Sequence, residues 1–394
     1  MRFTAIMFPL ALLVAGCGDG GGGTATGGSP VAVAPAPTPS PSASPTAMPT
    51  PAVTVAAVTR TPVASFDNPW ASVFLPDGRL LVTEKPGKLW LVTQAGAKTQ
   101  VSGVPAVTYS GQLGLQDVIL APDYATTGRI YLSYAEPAAG GQRLAVARAT
   151  LGLSGTPTLT SLAVIWRATP TTTGGQLGAR MAFSPDGYLF VSSGERQQGT
   201  PAQDLTGTLG KIVRLNPDGT VPAGNPFAAT ANARPEIWTL GHRNPYGLVF
   251  ASDGRLFESE MGPAGGDEFN LIVAGRNYGW PNVSEGDNYD GSSIPRHATD
   301  SRYAPPLVSW TPVIAPGGMI QYRGTRFTGW TGDFILAGLV QQGIVRVRVT
   351  GATATEAARI GLGNRIREVE EGPDGAIWVL EDGSGGRLIR LDPA

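Results

Sequence analysis

From about residue 58 onward, short apolar runs alternate with polar turns, and one pattern recurs. A turn around Asp-Gly or its equivalent is followed by a β-rich run: LPDGRLLVTE (75–84), TTGRIYLSYAE (126–136), SPDGYLFVSSGE (184–195), ASDGRLFESE (251–260), TGDFILAGL (331–339) and GPDGAIWVLED (372–382). The turn reverses the chain and the apolar run then forms a strand. Further strand-like runs lie between these signals: KLWLVT (88–93), RLAVARATL (143–151), KIVRLN (211–216), IVRVRVT (344–350) and RLIRLD (387–392). Several of them come directly after an Asp-Gly strand, as the second arm of a hairpin. No long segment carries helical periodicity, and no Gly-x-Gly-x-x-Gly opens a helix, which argues against a dinucleotide fold. Six such signals at propeller-like spacing predict an all-β fold, a six-bladed β-propeller over 59–394. The competing reading is a β-sandwich or a pair of them. A closed ring fits better the repetition of one hairpin, and its loops would gather on one face around the axis.

The first 58 residues read differently. Arg2 and a short apolar run, Ile6 to Ala15, are too brief for a membrane span and suit a signal peptide. The run ends Leu13-Val14-Ala15-Gly16-Cys17. This resembles a lipobox, in which the cysteine is lipidated and becomes the mature N-terminus. Residues 18–58, rich in Gly, Ala, Pro, Ser and Thr, predict a disordered tether. The expectation is a lipoprotein of the bacterial cell envelope, facing the periplasm and anchored to the membrane by lipid alone.

Composition narrows the chemistry. Gly 54 and Pro 34 suit a turn-rich β protein, and a formal net charge of -1 supplies no electrostatic case for nucleic acid. One cysteine and two histidines exclude an intrachain disulfide, a cysteine zinc cluster and a histidine-rich metal site.

Polar residues concentrate at a few places. GGQLGARMAF (174–183) combines flexible backbone with Arg180, which could pair with a carboxylate or simply brace a loop. GHRNP (241–245) offers the Arg243 fork and the Asn244 amide, suited to a multiply oxygenated ligand or to an inter-blade salt bridge. EMGPAGGDE (260–268) and NYGWP (277–281) supply carbonyls and carboxylates, hard ligands that fit Ca²⁺ better than zinc, unless they are only an acidic turn. In NRIREV (364–369), Arg365 and Arg367 share a face if the segment is a strand, which is costly without an anion nearby. Trp310 could stack on a flat cofactor or pack between blades.

Together these segments resemble the soluble glucose/sorbosone dehydrogenase family, in its aldose sugar dehydrogenase branch. The likeness also covers GQLGLQDVILAPDY (111–124), AQDLTGTLGKIVRLNPDGTVPAGNPF (202–227), APGGMIQY (315–322) and RIREVEEGPDGAIWVL (365–380). It implies a propeller that uses pyrroloquinoline quinone (PQQ) and Ca²⁺ to oxidise an aldose at C1, passing electrons to an external acceptor. Carried over by position, Gln112, Arg243, Asn244, Tyr289, Trp310, Gln341, Arg365 and Arg367 would contact the cofactor. Gly262 and Pro263 would give carbonyls to its calcium, and Glu268 and Tyr278 match a second calcium position. The resemblance also implies a histidine that takes the sugar's hydroxyl proton and an arginine, here Arg243, that polarises the quinone. In this chain Gln176 stands at the histidine's position, in Gln176-Leu177-Gly178-Ala179-Arg180. The family's lysine position falls near Gln341, and Met261 stands where glutamine or histidine is common. A glutamine cannot act as a general base. Two readings follow: a dehydrogenase of weak activity or with a substitute base (Asp267, Glu260 or a water held by Gln176), and a non-catalytic propeller that binds cofactor or glycan.

Overall fold

In the computed structural model residues 58–394 are described; the expected signal peptide, Cys17 and the tether up to residue 57 lie outside the described residues. The described chain forms six four-stranded antiparallel sheets arranged as the blades of a β-propeller. The innermost strands are Pro69–Phe74, Leu115–Leu120, Gly178–Phe183, Pro245–Phe250, Pro316–Gln321 and Ile366–Glu371, for blades one to six. The six Asp-Gly-type signals are the same hairpin in every blade, the turn from the innermost strand into the second. The later runs, such as Lys211–Leu215 and Gly343–Thr350, are third strands.

Five of the six second strands are buried along their whole length, among them Leu80–Glu84, Phe334–Gly338 and Ile377–Glu381. Both faces of each blade pack on a neighbour, so these strands carry nearly continuous apolar runs where a one-faced sheet would alternate. The core follows from this arrangement as six hydrophobic clusters, one per seam between blades. At the seam of blades four and five, for example, Phe257 and Phe269 meet Phe334.

The ring closes with a strand that the turn pattern does not announce. Val58–Asp67 pairs antiparallel with Ser384–Pro393 and becomes the outermost strand of blade six, with Thr61 opposite Arg390 and Phe66 opposite Gly386. Closure joins the two ends of the described chain through backbone hydrogen bonds, and a closed ring leaves no blade without a neighbour.

A register shift recurs at the start of all six innermost strands, as between Pro245 and Gly247 and between Pro316 and Met319. Such bulges bend the strand and re-aim the residues before it. Gln112, Gln176, Asn244 and Ala315 all stand within three residues before an innermost strand, at this end of the axis.

Candidate active site

At that end of the ring lies a cleft of about 590 Å³. Its wall includes Gln112, Gln176, Arg243, Asn244 and Tyr289, with Gly262 and Pro263 beside them. Residues far apart in the chain meet here because Gln112 comes from this end of blade two, Gln176 from blade three, and Arg243, Asn244, Gly262, Pro263 and Tyr289 from blade four and its loops.

Arg243 and Asn244 are held from behind. The Glu260 carboxylate accepts both backbone N–H groups through Oε2, and its Oε1 bonds His242 Nδ1 at 3.1 Å. His242 Nε2 meets Thr239 Oγ1 at 2.9 Å, and the ring stacks on Tyr278. With both ring nitrogens engaged and no exposure, His242 is a brace under Arg243. The guanidinium donates through Nη1 to the Met261 and Gly262 carbonyls at 3.0 and 2.8 Å, and through Nη2 to the Tyr289 hydroxyl at 3.2 Å. Two buried atoms on this wall, Arg243 Nε and Asn244 Oδ1, have no partner among the described residues. Unpaired buried donors and acceptors are costly, and a ligand that supplied their partners would relieve that cost.

Across the cleft, Gln112 and Gln176 bond each other directly: Gln176 N donates to Gln112 Oε1 at 2.6 Å. Gln176 has φ of +51°, and its Oε1 accepts from Gln197 N at 3.2 Å. Buried Arg196 ties this loop down, donating to the Gly174 and Gly175 carbonyls at 2.6 and 2.8 Å. Glu195, one residue before it, also lines the cleft. The sequence reading passed over Glu195. The signal available was its place two residues after a second strand, the register that Gly262 occupies in the next blade.

Asp267 lines the cleft but is fully engaged. Its Oδ1 accepts from Gly262 N at 2.9 Å, and Oδ2 accepts from Ile314 N and Ala315 N at 2.8 and 2.6 Å. Burial pushes its carboxyl up to about 6 despite these bonds. Gly262 cannot carry a side chain: a Cβ there would fall 2.2 Å from the Gly265 carbonyl oxygen. Its backbone therefore reaches the cleft wall only as glycine.

Glu268 and Tyr278 do not line the cleft. They line a small void behind it, shared with Glu260, Gly262 and Arg243. Glu268 stands opposite Glu260, and Glu258 opposite Asn270, on paired strands. Asn270 Nδ2 donates to Glu258 and Glu268 at 3.1 Å each, while Glu258 Oε1 and Asn270 Oδ1 have no partner among the described residues. Burial first, and then the neighbouring Glu260, push Glu258 and Glu268 well up. Their carboxyl oxygens are hard donors of the kind calcium takes, and a cation among them would favour the charged forms that burial opposes. The Tyr278 hydroxyl is committed elsewhere, donating to the Leu271 carbonyl at 2.6 Å and accepting from Val273 N at 2.9 Å.

Four expected cofactor contacts stand away from the cleft wall. Trp310 sits in the outermost strand of blade four, buried among Phe257, Phe269 and Met319, with its indole N–H on Glu356 at 2.7 Å. An outermost strand is the farthest from the axis, so its tryptophan packs the seam. Gln341 follows cleft-lining Val340, but its Oε1 accepts from Arg359 at 3.1 Å. Arg365 and Arg367 share one carboxylate, Asp382, at 3.1 and 2.9 Å. That is the anion two arginines on one face require, supplied by the protein itself. Arg180, the other candidate, lies buried on the innermost strand of blade three, paired with Asp117 and Glu368.

A closed six-bladed ring with a polar cleft at the strand-entry end of its axis, walled by an arginine, amides and the Gly262–Pro263 backbone, marks the chain as a propeller of the sugar dehydrogenase class. The chain belongs to the Glucose / Sorbosone dehydrogenase family, whose pattern matches residues 66–390. It is 39% identical over 339 residues to the aldose sugar dehydrogenase YliI of Escherichia coli, across 83% of this chain and 90% of that one. A crystal structure of the soluble aldose sugar dehydrogenase of Escherichia coli in the apo-form superimposes with a TM-score of 0.82 at 37% identity, covering 86% of this chain and 100% of the other. The PQQ-bound form of an aldose sugar dehydrogenase from Streptomyces coelicolor aligns with a TM-score of 0.70 at 28% identity, covering 86% and 98%.

Proposed function

We propose that this chain is a PQQ- and calcium-dependent dehydrogenase that oxidises an aldose at C1 to the lactone and passes the electrons to an external acceptor. The observation that carries this reading is the cleft wall on which Gln112, Gln176, Arg243, Asn244 and Tyr289 converge with two unpartnered buried polar atoms. Those residues suit a flat, polyanionic cofactor: a fixed guanidinium, three amide side chains and a phenol. The Gly262 and Pro263 carbonyls would hold the first calcium, and Glu268, with Glu258 behind it, the second. Arg365, Arg367, Trp310 and Gln341 are left out of this set, because their polar groups are engaged away from the wall.

The quinone, when bound, supplies the two-electron acceptor. The chain does the rest. Arg243 presents a permanent cation where negative charge develops during hydride removal, braced by Glu260 and His242 so that no reorganisation is needed. Gln112 and Gln176 place amide groups opposite it and orient sugar hydroxyls. The tether and Cys17 would hold the enzyme at the periplasmic face of a membrane.

Purified protein reconstituted with PQQ and Ca²⁺ is expected to reduce a redox dye when given aldoses, and chelation of calcium is expected to abolish that rate. A second reading is favoured by one observation, the amide of Gln176 where a base is wanted: a propeller that binds cofactor or glycan without turnover. Tight PQQ binding with no dye reduction by any aldose would select it.

A further inference from the structure

The chain's two histidines cannot serve the cleft. His242 has both ring nitrogens bonded and no exposure, and His297 lies buried between Glu285 and the Tyr278 carbonyl at 3.0 Å each. The carboxylates named as substitutes are committed as well. Asp267 gives both oxygens to backbone N–H groups, and Glu260 gives both to His242, Arg243 and Asn244 and does not reach the cleft wall. The acidic residues on the cleft wall are Asp267 and Glu195.

Glu195 is built differently from Asp267. Its Oε2 accepts the backbone N–H groups of Gln198 and Gly199, so the carboxylate cannot swing. Its Oε1 accepts no hydrogen bond from the described residues. Its own N–H is fixed to the Arg243 carbonyl at 3.0 Å, and it lines the same cleft as Gln176. The charged groups acting on it are Arg243 and, next in sequence, Arg196.

We propose that Glu195 is the proton acceptor of this enzyme, taking through Oε1 the proton of the sugar's C1 hydroxyl. The inference rests on the dehydrogenase reading above. In the step, the hydroxyl O–H bond breaks and a new O–H bond forms on Glu195. The C1–H bond breaks with its electron pair, which leaves as hydride to the oxidised quinone. The C1–O bond becomes the lactone carbonyl. The sugar loses two electrons, the quinone gains them, and the carboxylic acid later returns its proton to solvent. Burial raises the Glu195 carboxyl from its ordinary value, the direction a base working near neutral pH needs. A carboxylate is a weaker base than imidazole, so turnover is modest.

The test is Glu195→Gln, whose amide oxygen still accepts from Gln198 and Gly199 but cannot take a proton. With PQQ and Ca²⁺ loaded, kcat is expected to fall at least ~100-fold, while Tm and PQQ affinity by calorimetry stay at wild-type values. Wild-type turnover with Glu195→Gln within about threefold of it, well short of the loss a missing base causes, overturns the assignment and leaves the dehydrogenase reading standing. A loaded wild type that oxidises no aldose overturns both. A measurement without cofactor covers a variant that folds poorly. Carboxyl ¹³C NMR of the cofactor-free wild type is expected to show Glu195 titrating above the free glutamate value of ~4.3, and a value at or below it overturns the proposal.

Discussion

Arg180→Met is expected to destabilise the propeller by about 3–5 kcal/mol at pH 7, the range for removing one partner from a buried ion pair. Arg180 stands on the innermost strand of blade three and ties four other blades to it. Nη1 meets Asp117 of blade two at 3.1 Å, and Nη2 meets Glu368 of blade six at 2.7 Å. Nε donates to the Tyr246 carbonyl of blade four at 3.0 Å, and the guanidinium lies 4.3 Å from the Trp70 ring centroid of blade one. Methionine fills similar space but leaves two buried carboxylates without their cation. Burial already pushes Glu368 up to about 7 and raises Asp117 in the wild type, with Arg180 opposing both shifts. Without Arg180 both rise further. The folded variant then binds more protons than the unfolded chain between the unfolded values of ~4 and the raised native ones. Stability therefore falls as pH rises through that window, and the variant's deficit should shrink from pH 7 to pH 5. Urea unfolding of both proteins at the two pH values tests this. A loss below about 1 kcal/mol at pH 7, the scale of an exposed pair, would mean that the axial network is dispensable.

The second large effect is a gain. Gln176→His in cofactor-loaded protein is expected to raise kcat, most fully in the Glu195→Gln background, where it should restore the ~10²–10⁴ that general-base assistance is usually worth. Position 176 lines the cleft, and its backbone is already anchored by Gln112. Its φ of +51° is a conformation in which histidine is enriched among non-glycine residues. An imidazole nitrogen can also accept from Gln197 N in place of the lost amide oxygen. The pH–rate profile should acquire a limb near the imidazole value of ~6.5. An unchanged rate in a folded, loaded variant would remove residue 176 from the reacting centre.

Much of the fold was legible because the propeller repeats a local device. Each blade announces itself by a turn that reverses the chain and a buried run that follows. The N-terminal strand was not legible: VTRTPVASFD is mostly exposed, and its partner lies at the other end of the chain. The site divides in the same way. Arg243, Asn244, Gly262 and Pro263 sit in one segment dense with polar and glycine residues, which marks a wall. Trp310 and Gln341 look equally suited by residue type, but type does not report distance from the axis.

The sequence by itself determined the number of blades, the family and the segment that forms the cleft's main wall, because turn chemistry and strand burial act over a few neighbouring residues. Only the tertiary structure decided which polar groups remain free at the axis. Asp382 neutralises Arg365 and Arg367, backbone N–H groups occupy Asp267, and Glu260 is consumed in bracing His242 and Arg243. Glu195 lines the cleft, and its hydrogen bonds, from Gln198 N and Gly199 N, go to Oε2 alone. The physical reason is that a side chain's availability depends on who else needs its hydrogen bonds, and those partners lie on other strands and turns that only folding brings together.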